Sequence, residues 1–242
     1  MFKTFVFADP HCGPETVSCR ARRPSEGLYR IESLCRDACD SGADLIVCLG
    51  DLCDGSWQPA ASGYLYEAGR ILRSTGKRII VLPGNHDLIA VRDEEFYSCV
   101  GLSPAPLSMK AGDLNFVFID GCYTDDGCRY GPDSDWKNSY AGDGQPQLLE
   151  KLLNSSPDSE RFIIFSHQPI DPECEPRHVL RNSSELCGIM RDFGRGRIVS
   201  CVAGHYHPGR RESHYGIDFI TLPAVCEGDG RDLSSRRLII DS

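Results

Sequence analysis

Leu45-Ile46-Val47-Cys48-Leu49-Gly50-Asp51-Leu52-Cys53-Asp54 is a short apolar run that ends at a glycine and two acids. The run is uninterrupted by polar residues, as in a strand covered on both faces. The same design recurs on either side of it. Phe2 to Ala8 leads to Asp9-Pro10-His11, Arg78 to Leu82 to Gly84-Asn85-His86-Asp87, Arg161 to Phe165 to Ser166-His167, and Arg197 to Val202 to Gly204-His205-Tyr206-His207. Leu114 to Ile119, Ile217 to Leu222 and Arg237 to Ile240 complete the expected strands.

Helical patterns fall between these runs. Leu28, Ile31, Leu34, Cys35 and Ala38 recur at helical spacing, as do Leu186, Ile189, Met190 and Phe193, with Asn182 and Glu185 in the positions of a capping box. Leu148, Leu149, Leu152 and Leu153 form a third stripe. Regular alternation of strand and helix predicts an α/β protein, taken as a single domain over residues 1–242. The closely spaced later strands predict hairpins closing one side. Cys12 to Gly27 and Gly121 to Gly144 read as loops.

Thirty-five acidic against 26 basic side chains give a formal charge of −9, which opposes non-specific attraction to nucleic-acid backbones and anionic lipid. No apolar run approaches the roughly 20 residues that span a bilayer. The opening residues lack the basic start, long core and cleavage site of a signal peptide, so the expectation is a cytoplasmic protein with no membrane partner. The 13 cysteines include no C-x-x-C pair, which argues for reduced thiols and against a zinc ribbon. Cys35, Cys39, Cys48 and Cys201 are expected to pack as small hydrophobes. Cys12 and Cys53 lie beside motif residues but are read as ordinary thiols.

Five strand ends thus carry Asp, Asn or His, and five of the seven histidines stand there. In open α/β sheets the carboxyl ends of the strands line the ligand crevice, so these groups can meet although they span nearly 200 residues. Neutral imidazoles mixed with carboxylates and an amide oxygen suit Mn, Fe, Zn or Co rather than calcium. The set is too large for one ion. Two divalent ions about 3.5 to 4 Å apart would use all of it and form the clamp suited to in-line displacement at phosphorus.

The order Asp-x-His, Gly-Asp-x-x-Asp, Gly-Asn-His-Asp, His, Gly-His-x-His is similar to that of the calcineurin-like metallophosphoesterase superfamily, from Asp9 to His207. The resemblance implies a four-layer αββα sandwich of two mixed β-sheets flanked by helices. It implies a first metal held by Asp9, His11, Asp51 and His207, and a second by Asp51, Asn85, His167 and His205, with Asp51 bridging and a metal-bridging hydroxide as nucleophile. His86 would face the substrate as proton donor or charge stabiliser, oriented by Asp54. The implied activity is hydrolysis of a phosphodiester, pyrophosphate or phosphomonoester bond of a small substrate.

The departures narrow the class. Protein Ser/Thr phosphatases of the superfamily place Arg after the second acid and Glu after the catalytic His, where this chain has Gly55 and Asp87. A protein phosphatase is therefore disfavoured. The Asn-His-Asp pattern resembles the branch with cyclic-nucleotide phosphodiesterases and nucleotide or lipid-head-group pyrophosphatases. Arg22, Arg129 and Tyr206 are the expected substrate-binding residues, with Arg20, Arg23, Tyr130, Arg177 and His178 as further loop candidates able to grip a phosphate or stack on a base. Asp120 and His214 are expected to serve a cap or loop and a strand surface. Two other readings stand beside this one. They are a superfamily nuclease, disfavoured by the acidic balance, and a non-catalytic scaffold, which loss of ligands would mark.

Overall fold

Phe5 and Phe7 on one side of the first strand, and Val6 and Ala8 on the other, are all completely buried. Successive strand residues face opposite ways, so this strand is covered on both faces. It is β1 (Lys3–Phe7) of a computed structural model that describes residues 1–14, 21–55, 58–142, 144–230 and 232–242. Phe5 and Phe7 join a helix-side cluster with Ile31, Leu34, Leu65 and Phe96, whereas Val6 and Ala8 join Phe116, Phe165 and Val202 between two sheets.

The first sheet has the order β10 (Arg237–Asp241), β1, β2 (Leu45–Cys48), β3 (Arg78–Val81), with β1, β2 and β3 parallel and β10 antiparallel to β1. The second has the order β4 (Ser108–Ala111), β5 (Leu114–Ile119), β6 (Arg161–Ser166), β7 (Ile198–Ala203), β9 (Ile217–Thr221), β8 (Arg210–His214), parallel except at its two edge strands. The outer layer on the first sheet comes from α1 (Gly27–Asp40), α2 (Gln58–Ser74) and α4 (Asp93–Val100), with short α3 (Asn85–Ala90) opening at the end of β3. On the second it comes from α5 (Gln145–Ser155) and α6 (Ser183–Gly194), whose Leu149, Leu153, Leu186 and Met190 cover Phe162, Ile164 and Cys201. The result is the expected αββα sandwich of two mixed sheets. Among the described residues no helix is long and apolar enough to cross a membrane.

Several sequence expectations change. β4 and β8 went unforeseen because Ser-Met-Lys-Ala and Arg-Arg-Glu-Ser-His carry little apolar signal, as befits polar sheet edges. The hairpins expected among the later strands do not form, since β7 and β9 are parallel; the hairpin there joins β9 to the unforeseen β8. β10 instead crosses to the first sheet, where Leu238 and Ile240 reach the inter-sheet cluster and Ile239 the helix side. Asn182 does not cap α6 with its side chain; its Oδ1 accepts a hydrogen bond from Ala141 N at 3.0 Å and so ties down the middle loop.

Arg197 closes the outer face of the second sheet. Its buried guanidinium donates to the carbonyls of Gly194, Ser156, Pro157, Leu153 and Phe193, gathering the ends of α5 and α6. Removing this buried charged donor strips a partner from all five carbonyls, although Gly194 O and Pro157 O keep backbone donors in Arg197 N and Glu160 N. Arg197→Met should therefore lower stability by about 2–4 kcal/mol in denaturant titrations. Exposed Arg161→Ala should stay within about 0.5 kcal/mol, and equal losses in the two variants would contradict the assigned role.

Candidate metal centre

The carboxyl ends of β1, β2 and β3 in one sheet and of β6 and β7 in the other meet at one edge of the sandwich. The loops leaving β1 and β2 run side by side, with Asp9 N donating to Gly50 O, His11 N to Asp51 O and Cys12 N to Leu52 O. Gly204 N donates to His167 O across the second sheet, and Val225 N and Cys226 N donate to Ala8 O and Asp9 O, joining the two sheets. Asp9, His11, Asp51 and His205 all have positive φ, between 45° and 65°. Asp and His tolerate this region better than most residues, yet four such residues in one place mark a strained site held by its surroundings. Gly50, at φ 104°, has no room for a side chain either, since a Cβ would lie 2.6 Å from Gly84 N.

Asp51 is the centre, 1% exposed. Its Oδ1 accepts from His86 N at 2.8 Å, while its Oδ2 lies 3.4 Å from His11 Nε2 on one side and 3.4 Å from His167 Nε2 on the other. His11 Nε2 and His207 Nε2 are 3.1 Å apart, and Asp9 Oδ1 is 4.0 Å from His11. His167 Nε2 is 3.2 Å from Asn85 Oδ1, and its ring sits 5.1 Å from that of His205. Potential ligand atoms of Asp9, His11 and Asp51, and of Asp51, His167 and His205, lie within 4.8 Å of one another.

A metal fits this donor set. Among the described residues the buried His205 Nε2 has no hydrogen-bond partner, and the Nε2 atoms of His11 and His207 converge to 3.1 Å. The rear of two rings is fixed: His207 donates Nδ1–H to Glu227 Oε1 at 2.8 Å, and His167 donates Nδ1–H to Leu49 O at 2.7 Å, so their Nε2 atoms face the centre. Arg30, fully buried, holds the loop that carries Glu227 by donating to the carbonyls of Val225, Glu227 and Gly228. Asp87 accepts from Gly84 N and Cys53 N, tying the loop of Asn85 to that of Asp51.

Burial lowers the His11 and His205 imidazoles well below their usual range, so both are neutral and able to coordinate. Burial would raise Asp51, but His167, His86 and His11 hold it well below the usual carboxylate range. Burial would likewise depress His167, yet Asp51 and Asp9 outweigh it and raise the imidazole to about 9. Burial raises Asp9. Cys12 and Cys53 are pushed up by burial and so remain thiols.

A cavity of about 620 Å³ opens onto the centre, lined in part by Asp51, Asn85, His86, Arg22 and Tyr206. His86 Nδ1 lies 3.3 Å from Asp54 Oδ1, and its Nε2 lies 3.3 Å from Arg22 Nη1. Gly55 N also approaches Nδ1 at 3.2 Å, but a proton on Nδ1 serves the charged Asp54 better. Gly55 has a steric reason to be there: a Cβ would sit 2.7 Å from His86 O, so the cation beside His86 comes from Arg22 instead.

Arg129 does not reach the cavity. Its guanidinium is 2.7 Å from Asp120 and 2.5 Å from Asp93, and it lies over Tyr123, pinning the middle loop to α4. Arg23 pairs with Glu26, Tyr130 hydrogen-bonds Ser139 inside the protein, and exposed Arg177 pairs with Glu175. Arg20 lies outside the described residues. Trp136 and His178 do line the cavity. Trp136, Glu227 and Arg30 carry no signal in the sequence, because none follows a strand in a ligand-like pattern.

Residues 2–209 match the profile of the calcineurin-like phosphoesterase family. No curated protein matches the chain. The chain is similar to a dimetal phosphatase from Danio rerio, with a TM-score of 0.80 and 20% identity over 95% of this chain and 89% of that one. It is also similar to phosphopantetheinyl hydrolase from Mycobacterium tuberculosis, with a TM-score of 0.60 and 13% identity over 98% and 95% of the two chains. A purple acid phosphatase from yellow lupin, Lupinus luteus, has a TM-score of 0.58 and 14% identity over 91% of this chain and 43% of its own. At such identities the likeness is one of fold.

With His167 raised to about 9, an ion that takes its Nε2 must displace a proton. Below that value the metal-free site is protonated, so apparent affinity should rise about tenfold per pH unit from pH 6 towards 9 and then level off. Calorimetry of Mn²⁺ binding at pH 7, in buffers of different ionisation enthalpy, should show release of about one proton per filled site at this imidazole. Binding without proton release would contradict the assignment.

Proposed function

Because the chain belongs to the calcineurin-like phosphoesterase family, whose members use a dinuclear metal centre, we propose that it hydrolyses a phosphodiester, pyrophosphate or phosphomonoester bond of a small substrate in the cavity above Asp51. The observation that carries this reading is the Asp51 carboxylate, one oxygen of which lies 3.4 Å from imidazole nitrogens on each side. Asp9, His11, Asp51 and His207 would hold one divalent ion, and Asp51, Asn85, His167 and His205 another, drawn from Mn, Fe, Zn or Co. Such a pair supplies Lewis-acid polarisation of the phosphoryl group and lowers the pKa of water.

The remaining chemistry belongs to side chains. When doubly protonated, His86 keeps Nδ1–H on Asp54 and presents Nε2–H to the cavity, where it can give that proton to the departing oxygen and be left with Nδ1–H. Arg22 stands 3.3 Å from His86 Nε2 and 3.7 Å from Asp54 and lines the cavity, so its guanidinium can also meet phosphate charge. Tyr206 forms part of the wall. The formal charge of −9 weighs against a nuclease, and the complete ligand set weighs against a non-catalytic scaffold.

The test is hydrolysis of bis-p-nitrophenyl phosphate, p-nitrophenyl phosphate and alkyl phosphate esters by metal-loaded protein. Activity should vanish with a chelator and return with Mn²⁺ or another transition ion. His86→Ala should still bind metal and should lose about 10²- to 10⁴-fold in kcat on alkyl esters, whose alkoxide needs a proton. Its loss on p-nitrophenyl esters should be much smaller, because p-nitrophenolate departs unaided. Equal losses on both would remove His86 from the proton-transfer role, and chelator-resistant activity would overturn the metal-dependent reading.

A further inference from the structure

The cavity, at about 620 Å³, holds far more than a phosphate group, and its two ends differ in chemistry. At the His11 end stand His86, whose ring is 4.6 Å from that of His11, and the Arg22 guanidinium. At the His205 end the lining is aromatic. The Trp136 ring lies 5.6 Å from His205 and 5.1 Å from His178, and His178 lies 5.1 Å from His205 and 5.2 Å from Tyr206. These contacts are tilted or edge-on, with interplanar angles of 48° to 68°, so no ring stacks over its neighbour. Trp136, His178 and Tyr206 are all half-buried, open to a ligand without being free in solvent.

The corner is anchored at the His178 ring and at the Trp136 backbone. His178 donates Nδ1–H to Glu175 Oε2 at 2.5 Å, which fixes the plane of its ring. Trp136 O accepts from Ser139 Oγ at 3.0 Å, and Lys137 lies over the indole at 5.5 Å. A fixed corner of π-faces favours a flat, polarisable group, and ring stacking is worth enough to select a substrate. We propose that Trp136, His178 and Tyr206 form a subsite for a planar ring carried by the ester, a feature that aryl and nucleoside esters share. This rests on the phosphoesterase reading for the ester, but the ring subsite is testable without turnover.

The chain has two tryptophans, so Trp57→Phe leaves Trp136 as the only fluorophore of its kind. Adenosine, which carries no phosphate, should quench Trp136 fluorescence saturably in metal-free protein, ribose should not, and His178→Ala should weaken adenosine binding at least about fivefold. Equilibrium dialysis of labelled adenosine, phenol and ribose against the unmodified protein gives the same comparison should Trp57→Phe not fold. Phenol binding as tightly as adenosine assigns the ring to aryl esters, and adenosine binding more tightly assigns it to nucleoside esters. Failure of adenosine and phenol to bind, ribose binding equally well, or an unchanged His178→Ala overturns the subsite. Adenosine binding in a protein with no chelator-sensitive hydrolysis would instead sink the phosphoesterase reading and leave the subsite standing.

Discussion

A carboxylate taken out of water and set between two imidazoles is the contact on which the rest of the structure depends. Asp51 can remain ionised in the interior only because His167, His86 and His11 surround it. That surrounding requires the ends of strands from both sheets to reach one point. The requirement explains the positive φ of Asp9, His11, Asp51 and His205, and the bare Gly50 against Gly84. It also explains why the two sheets are stapled at this edge by backbone bonds from Val225 and Cys226 to Ala8 and Asp9.

Around that core, several ligand candidates have a partner that sets their direction. Glu227 sets His207, Leu49 O sets His167, and two backbone contacts from His205 N set Asp9 at 3.1 and 2.9 Å. Arg30 and Asp87 act one step further out by fixing loops. Such partners determine which nitrogen carries the proton and hence which one is left for coordination. The cavity above the centre divides into an ionic end at His86 and Arg22 and an aromatic end at Trp136 and His178, a division suited to an ester with a charged and a flat part.

The sheets and the meeting of Asp, Asn and His side chains at one edge were legible because uninterrupted apolar runs mark strands buried on two faces, and five of those runs end in Asp, Asn or His. Edge strands β4 and β8 escaped because half-solvated polar segments lack that signal. Loop residues were harder for a different reason. Arg129 looked as available as Arg22, and only the tertiary placement of Asp93 and Asp120 shows that its charge is already engaged. Trp136 and Glu227 sit in irregular segments whose side chains acquire a direction only once the sheets have packed. Asn182 had the right spacing for a helix cap, yet a backbone N–H from a distant loop claims its oxygen.

The central claim is that Asp51 is shared between two metal ions. Electron paramagnetic resonance of the protein loaded with Mn²⁺ tests it most directly, since ions joined by one carboxylate are magnetically coupled. The account predicts the multiline spectrum of an exchange-coupled pair in the unmodified protein, and its collapse to isolated-ion signals or free Mn²⁺ in Asp51→Asn. An isolated six-line Mn²⁺ spectrum from fully loaded unmodified protein, or a coupled spectrum that survives Asp51→Asn, would contradict it.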